Sequence, residues 1–530
     1  MKLITKTIVV LFLLSNVLVQ AQSEIKIQKS QIFKDKNTLS NLVFSVDDGK
    51  GGLFLLRRLS STFGRNSRGY VLEHFDHDLK LLVSKEFEDQ NNVFKALFIN
   101  DNKINLIESI KNSKEKSLSY NLLSASIEDL NFSSKTIFSI NKDDINNTFL
   151  ADLGLFLTAN YFKLDSDLLG EVQISKNNKY IAFNFDIKND KKETHRILVY
   201  DINLNKIYQK EFSQNIKDKY FKYNSFKISE EDGSVFFLGK AYKNESYKDL
   251  KDGIINYNFK LYKLSNEGIQ FETFSTNETF INSLELLINK NQVFCVGTYS
   301  DKSSYNDRGV VFYEVDTNNL KTKNFKLNPF TEQFLIDKYG EKKGKKKSQD
   351  KAELSNLVYK DFFITDQNEI YINAEEYFIS SYPSTSSSGS THYVTSYNFN
   401  DIFSFKLNFN GELQWMRTIN KGQSTTGIFD YFSYSSLVYK GKMYIFLNGD
   451  EDVKKIKDNR ISFKQTKIKK MNFYAIEIDE EGNFTYKILI TDKDSKITYK
   501  PFFGIYTDEE GVILFEGNDG RDKQIIKLKI

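Results

Sequence analysis

The densest run of ligand-capable side chains in this 530-residue chain is Glu73-His74-Phe75-Asp76-His77-Asp78. Imidazoles and carboxylates in such a run can hold a divalent cation or pass a proton. Strand alternation puts His74 and Asp76 on one face and leaves His77 in the turn that follows, so the run reads as the polar outer edge of a sheet. The other two of the four histidines, His195 and His392, stand alone in loops. Cys295 is the single cysteine. That excludes an internal disulfide and a cysteine zinc cluster, and leaves a small buried hydrophobe. Asn518-Asp519-Gly520-Arg521-Asp522 has calcium-loop residue types without EF-hand spacing or its terminal Glu, and reads as a hairpin loop. No G-x-S-x-G elbow, H-E-x-x-H helix or phosphate-cradling G-x-x-x-x-G-K-[ST] occurs. Catalytic residues, cofactor and resident metal are therefore all expected to be none. Carboxylates that a fold gathers from distant segments leave no such trace, so a hydrolase or lyase of that kind stays open.

Binding chemistry is better marked than catalysis. Gly449–Lys470 carries eight basic residues, among them Lys454, Lys455, Lys457 and Arg460, against four acidic. Lys338–Lys347 carries six lysines against Glu341. Arg65 and Arg68 form a smaller pair. The whole chain is nearly balanced, at 74 basic and 70 acidic residues, so the positive charge is local and gives no case for nucleic-acid binding. Such segments attract a polyanion; equally, they are what solvated lysine-rich loops look like. Tyr382 and Tyr393 flank a low-complexity Ser/Thr stretch and could stack on sugar rings.

The elements that must position these residues are short strands in a repeating pattern. Leu42–Val46 turns at Asp47-Asp48-Gly49 into Leu53–Leu56, and Phe226–Ile228 turns at Asp232-Gly233 into Val235–Leu238. Six more pairs of the same kind bring the copies to eight, the last being Phe502–Tyr506 with Val512–Phe515. Asn, Asp and Gly tolerate the left-handed backbone of tight hairpins. A second hairpin follows each first one, as at Ile197–Ile202 and Phe403–Phe409. Phe403, Phe405, Leu407 and Phe409 share one face, which is a period of two and a strand. Four strands per unit at this spacing predict an all-β, eight-bladed β-propeller, with seven blades the alternative count. The last unit lacks a fourth strand, and Glu24–Phe33 supplies a spare one, so the ring is expected to close between the chain ends.

With strands named A to D from the axis outward, A–B and C–D turns lie at one end and B–C and D–A connections at the other. The long segments 240–256, 376–400 and 449–471 are B–C, and 141–170 and 329–356 are D–A. All fall at one end, which marks it as the ligand face.

Gln173-Ile174-Ser175-Lys176-Asn177-Asn178-Lys179-Tyr180-Ile181-Ala182-Phe183 resembles one repeat of TolB-type and WD40-like propellers, which read roughly S-P-D-G-K-x-I-A-F, with Pro and Asp replaced here. Leu407–Trp415 is similar to the D-x-x-G-x-x-x-W stretch of secreted bacterial repeat propellers. In leader, length and Lys/Asn/Ile/Phe/Tyr richness the chain resembles secreted proteins of Bacteroidota. These likenesses imply fold and carry no catalytic residue over. Lys2 and Lys6, the apolar run Thr7–Val19 and Val19-Gln20-Ala21 read as a signal peptide over residues 1–21. The run is shorter than the ~20 residues a spanning helix needs. Residues 22–530 are then one exported propeller domain, periplasmic or extracellular, with no membrane span, and a monomer. It is expected to bind or scaffold, through its B–C and D–A loops, an anionic glycan or an envelope protein. The other class left open is a carbohydrate-active enzyme or other hydrolase or lyase using channel carboxylates.

Overall fold

The computed structural model describes residues 25–530 apart from 35–39, 61–66, 90, 147–169, 190, 275–278, 302–305, 386–388, 466, 468 and 469. The leader, Arg65 and most of 141–170 lie outside the described residues. Among the described residues, no helix is long and apolar enough to cross a membrane.

Eight sheets of four or more strands follow one another along the chain. Their inner strands are Ser40–Asp47, Asn92–Asn100, Glu171–Ile174, Phe221–Ile228, Phe280–Asn289, Leu357–Ile364, Tyr434–Tyr439 and Ile505–Tyr506, and we number the sheets 1 to 8 in that order. Each continues outward as antiparallel B, C and D strands. The A–B turns use the backbone their residues permit: Asp101, Asn178, Lys290, Asn368 and Gly233 all hold positive φ. The C–D turns repeat one device. In sheets 1, 3, 5, 6 and 7 a carboxylate or amide oxygen (Asp76, Asp201, Asp316, Asn408, Asp479) accepts from main-chain N–H groups two to four residues on.

The chain is an all-β propeller, and its core shows why. B and C strands are largely buried on both faces, so every sheet needs two neighbours. Apolar clusters join sheet 1 to 2, 2 to 3 and onward to 7 and 8. One further cluster joins the last sheet to the first, where Leu53, Leu55 and Phe75 pack on Val512, Leu514 and Ile525. Trp415 lies between sheets 6 and 7. Cys295 is buried and unbridged between sheets 4 and 5.

The D strand of sheet 8 comes from the start of the chain. Lys26–Lys29 pairs antiparallel with Asp522–Lys529, with Ile27 opposite Leu528 and Lys29 opposite Ile526. The spare segment breaks at Ser30 and resumes as Phe33–Lys34 on the same partner. Buried charge crosses the same seam: Glu516 of sheet 8 meets Arg57 of sheet 1, with Lys523 at 3.4 Å, and Arg57 also binds Glu73 at 2.7 Å.

Bulges tie neighbouring inner strands. Five A strands carry one extra residue, at Val43, Lys95, Asn224, Asn282 and Lys360. Lys95 Nζ donates to Gly170 O at the edge of sheet 3 at 3.0 Å. Asn224 Nδ2 donates to Leu284 O in sheet 5, and Lys360 Nζ to Tyr434 O in sheet 7. Asn282 instead binds its own sheet's B–C connection, at Asn306 O and Asp307 Oδ1.

Removing residues 25–29 leaves the Asp522–Lys529 edge unpaired and Leu528 uncovered. The truncated chain is expected to unfold at lower denaturant and to self-associate with rising concentration in sedimentation runs. A truncation that stays monomeric at full stability would exclude a closing role for this strand.

Candidate binding face

Residues 330–356 fold into two short helices. Thr331 caps α1 (Glu332–Tyr339) by accepting from Phe334 N at 3.2 Å. Phe334 and Leu335 then bury against Phe403 and Phe405 of sheet 6. Gly340, at φ +88°, lets α2 (Glu341–Gln349) begin at once. Gly344 lets it fold back, because a Cβ there would meet Ile336 Cα at 2.5 Å. With that face closed, the lysines of E-K-K-G-K-K-K-S-Q turn outward: Lys342, Lys343, Lys345 and Lys346 are exposed. Lys338 points the other way, onto Asp401 at 2.8 Å and Glu376 at 3.1 Å. Burial works against its charge, and the two carboxylates outweigh burial and hold its ammonium above the usual range.

Residues 454–465 dock beside this helix pair. Ile461–Gln465 runs parallel to the outer strand Leu413–Thr425 of sheet 6, and Lys454–Lys455 pairs back on it. Arg460 Nη1 donates to the α1 carbonyls of Lys338 at 2.9 Å and Asp337 at 3.2 Å, where a helix dipole favours a cation. Asp458 Oδ2 accepts from Glu341 N at 2.9 Å, at the positive end of α2. These contacts set Lys454, Lys455 and Lys457, all exposed, beside the lysines of α2. Two basic segments a hundred residues apart in sequence become one surface, and Arg460 is the residue that fastens it.

The other expected site residues are placed differently. Arg68 lies in Ser67–Phe75 of sheet 1. Tyr382 and Tyr393, 49 % and 76 % exposed, stand on the long hairpin of Glu369–Thr385 and Thr391–Asn408. Tyr382 pairs with Val394 and Tyr393 with Pro383, so the two rings project from opposite faces of the ribbon and make no common platform. Between sheets 7 and 8, at the same end, a cleft of about 210 Å³ is lined by Lys470, Lys496, Asp492 and Tyr499 among others.

Three carboxyls depart from ordinary behaviour, Glu285 and Asp361 on inner strands and Asp307 on the B–C connection of sheet 5. Burial pushes Glu285 up to about 7, with Glu171 of sheet 3 adding and Lys227 of sheet 4 opposing. Burial pushes Asp307 up to about 6, against the hydrogen bonds of Asn282 and Thr298. Burial also raises Asp361, against Lys360 and Ser436. The Lys360 ammonium is pulled down to about 8 by burial, against Glu375 and Asp361. Asp361 and Lys360 are already engaged. Ser436 donates to Asp361, Lys360 to Ser433 Oγ at 3.0 Å, and Ser433 to Glu375 at 2.7 Å, with Lys421 on the other Glu375 oxygen at 2.7 Å.

The histidines correct the sequence reading. His74 is buried inside sheet 1, stacked on Phe54 at 3.9 Å and 3.0 Å from Asp48, while His77 stays outside in the turn. His392 is on a strand near the hairpin tip, and His195 is fully buried within Glu193–Asp201. His195 sits with Glu193 and Asp186 so that one ligand atom from each lies within 4.8 Å of the others, a group among the described residues that could hold a metal ion. The bare alternation of strand residues did not reveal it, because Asp186 comes from the neighbouring strand.

The chain matches no family model and no curated protein sequence. Solved structures that it resembles include the β-propeller domain of the Trilobed protease from Pyrococcus furiosus, at 10 % identity and TM-score 0.36 over 87 % of this chain and 98 % of that one. An acylaminoacyl peptidase aligns at 10 % and 0.36 over 92 % of this chain and 59 % of that chain. The GH93 α-L-arabinofuranosidase of Fusarium graminearum aligns at 9 % and 0.29 over 68 % and 91 %.

Arg460→Ala is expected to speed backbone hydrogen exchange across 454–465 while leaving sheets 1 to 4 unchanged; uniform protection would show that Arg460 fastens nothing. Glu285→Gln tests the axial carboxyl. Its raised pKa means the folded chain holds the proton more tightly than the unfolded one. Below about pH 4 both states are protonated and the variant should match the wild type. From there to about pH 7 the wild type loses stability relative to the variant, by on the order of 1–3 kcal/mol, and the gap then stays constant. Urea midpoints at pH 4 and pH 8 read the difference, and equal gaps at both would refute it.

Proposed function

We propose that this chain is an exported propeller that binds or scaffolds a polyanion, an anionic glycan or an acidic protein surface, on its B–C/D–A end. One observation carries the reading: α2 and the 454–460 turn, each lysine-rich, are fastened to one another by the Asp458 and Arg460 contacts. A merely solvated lysine loop needs no such fastening. With 74 basic and 70 acidic residues overall, the attraction comes from where the charge is placed. Export is part of the proposal and rests on residues 1–21, outside the described structure. The competing reading, hydrolysis by axial carboxylates, draws on Glu285, whose raised pKa suits an acid near neutrality. Against it, Asp361 and Glu375 are already committed to Ser436, Ser433 and Lys421.

The test is a panel of polygalacturonate, heparin and lipopolysaccharide at 50 and 300 mM salt. The wild type should bind at least one, weaker at high salt. Replacing Lys342, Lys343, Lys345 and Lys346 by Gln should weaken binding about tenfold at low salt, from a few tenths of a kcal/mol per exposed pair. Binding that ignores both salt and the variant would sink the proposal.

A further inference from the structure

Sheet 3 carries a polar patch on a face that is otherwise core. Ala182, Ile197 and Val199 of that sheet pack against Phe237 of sheet 4. At the B–C end, Asn184, Asp186, Glu193 and His195 interrupt this apolar run. Asp186 and His195 are cross-strand partners, and Glu193 lies two residues before His195 on the same face. Asn184 is 2 %, Glu193 3 % and His195 0 % exposed, while Asp186 is half-buried. Phe237, Tyr223 and Phe212 wall the imidazole at ring distances of 4.6, 5.8 and 6.4 Å.

The hydrogen-bond geometry selects what fits here. His195 Nδ1 lies 2.9 Å from Asn184 Oδ1, and Nε2 lies 2.7 Å from Glu193 Oε1. In the neutral tautomer that donates Nδ1–H to the amide oxygen, Nε2 turns a lone pair toward carboxylate oxygens. A hydrogen-bond partner on one ring nitrogen and a lone pair on the other is how a metal-ligating histidine is held. With Nε2 deprotonated, a cation is what can hold its lone pair and Glu193 Oε1 this close. A proton on Nε2 engages Glu193 alone, whereas a divalent ion is held by Nε2 and both carboxylates at once. We infer that Asp186, Glu193 and His195 form a binding site for a divalent transition-metal ion, with Asn184 as the positioning residue for the imidazole. One imidazole nitrogen with two carboxylate oxygens suits zinc or manganese over calcium and magnesium, which prefer all-oxygen shells. Each ligand atom would sit about 2.0–2.2 Å from the ion, which opens the Nε2–Oε1 distance to roughly 3.0–3.4 Å. This inference is independent of the basic face on the other sheets.

The full chain, stripped with chelator and dialysed, would be titrated with Zn²⁺, Mn²⁺ and Co²⁺ by calorimetry, with Co²⁺ also followed by its visible absorption. One equivalent of Zn²⁺ is expected, with an X-ray absorption spectrum showing an imidazole scatterer. Glu193→Gln and Asp186→Asn, which keep side-chain size, should each weaken uptake more than tenfold with unchanged circular dichroism. Asn184→Ala should weaken it by about tenfold or more, as loss of an outer-shell partner does. If the amide is turned over, it donates to Nδ1, Nε2–H donates to Glu193 and no ion is needed. Absence of uptake, or a bound metal with no imidazole in its spectrum, reports that arrangement and overturns the inference. So does uptake undiminished in both carboxylate variants.

Discussion

Everything in this molecule depends on the meeting of Ile27 with Leu528. A sheet that is apolar on both faces cannot end a stack, because its outer face would be left to water. A ring removes the problem, since each sheet then has two neighbours. The cluster between sheets 8 and 1 completes that ring, and the N-terminal strand seals the sheet it involves. The contacts at the seam are of mixed kind. Apolar side chains give area, main-chain pairing gives register, and the Glu516 group with Arg57 and Lys523 gives direction. A buried carboxylate without its cations would be strongly destabilising, so the charged part of the seam tolerates little displacement.

The ring also decides where function can be built. Inner strands converge on the axis, and their polar residues are drawn into contact with one another. Burial there raises Glu285 and Asp361 and lowers Lys360. Perturbed groups of this kind mark active sites in many proteins. Here most are absorbed by neighbouring hydroxyls and ammonium groups, and the shifts report packing. The end with the B–C and D–A connections is free of that constraint. Its segments can grow without disturbing the sheets, and two of them have grown into a helix pair and a docked strand that display lysines together.

Much of this was legible in the sequence. Alternation in Phe403–Phe409 and the Asn, Asp and Gly turns revealed strands and hairpins. The surplus strand near Ile27 and the deficit after Val512 revealed the closure. What escaped depends on relations between strands. Nothing in the order of residues says that Tyr382 and Tyr393 leave opposite sides of a ribbon; register decides it. His195 looks solitary until Asp186 is set opposite it. Arg460 reads as one more surface cation, and only the docking of 454–465 shows it capping α1. The helices over 332–349 were hidden by their own composition, since a run of lysines resembles a solvated loop until Gly344 is seen against Ile336.

The bulges on the inner strands have a consequence for how such a ring can change over generations. Lys95, Asn224 and Lys360 each grip a main-chain oxygen of the adjoining sheet. A peptide carbonyl is present whatever residue occupies that position. Each unit can therefore exchange its side chains without a matching change next door, and divergence in one copy is not paid for by its neighbours. Ancestry among the copies can fade to a few turn residues while the circle they make keeps its shape.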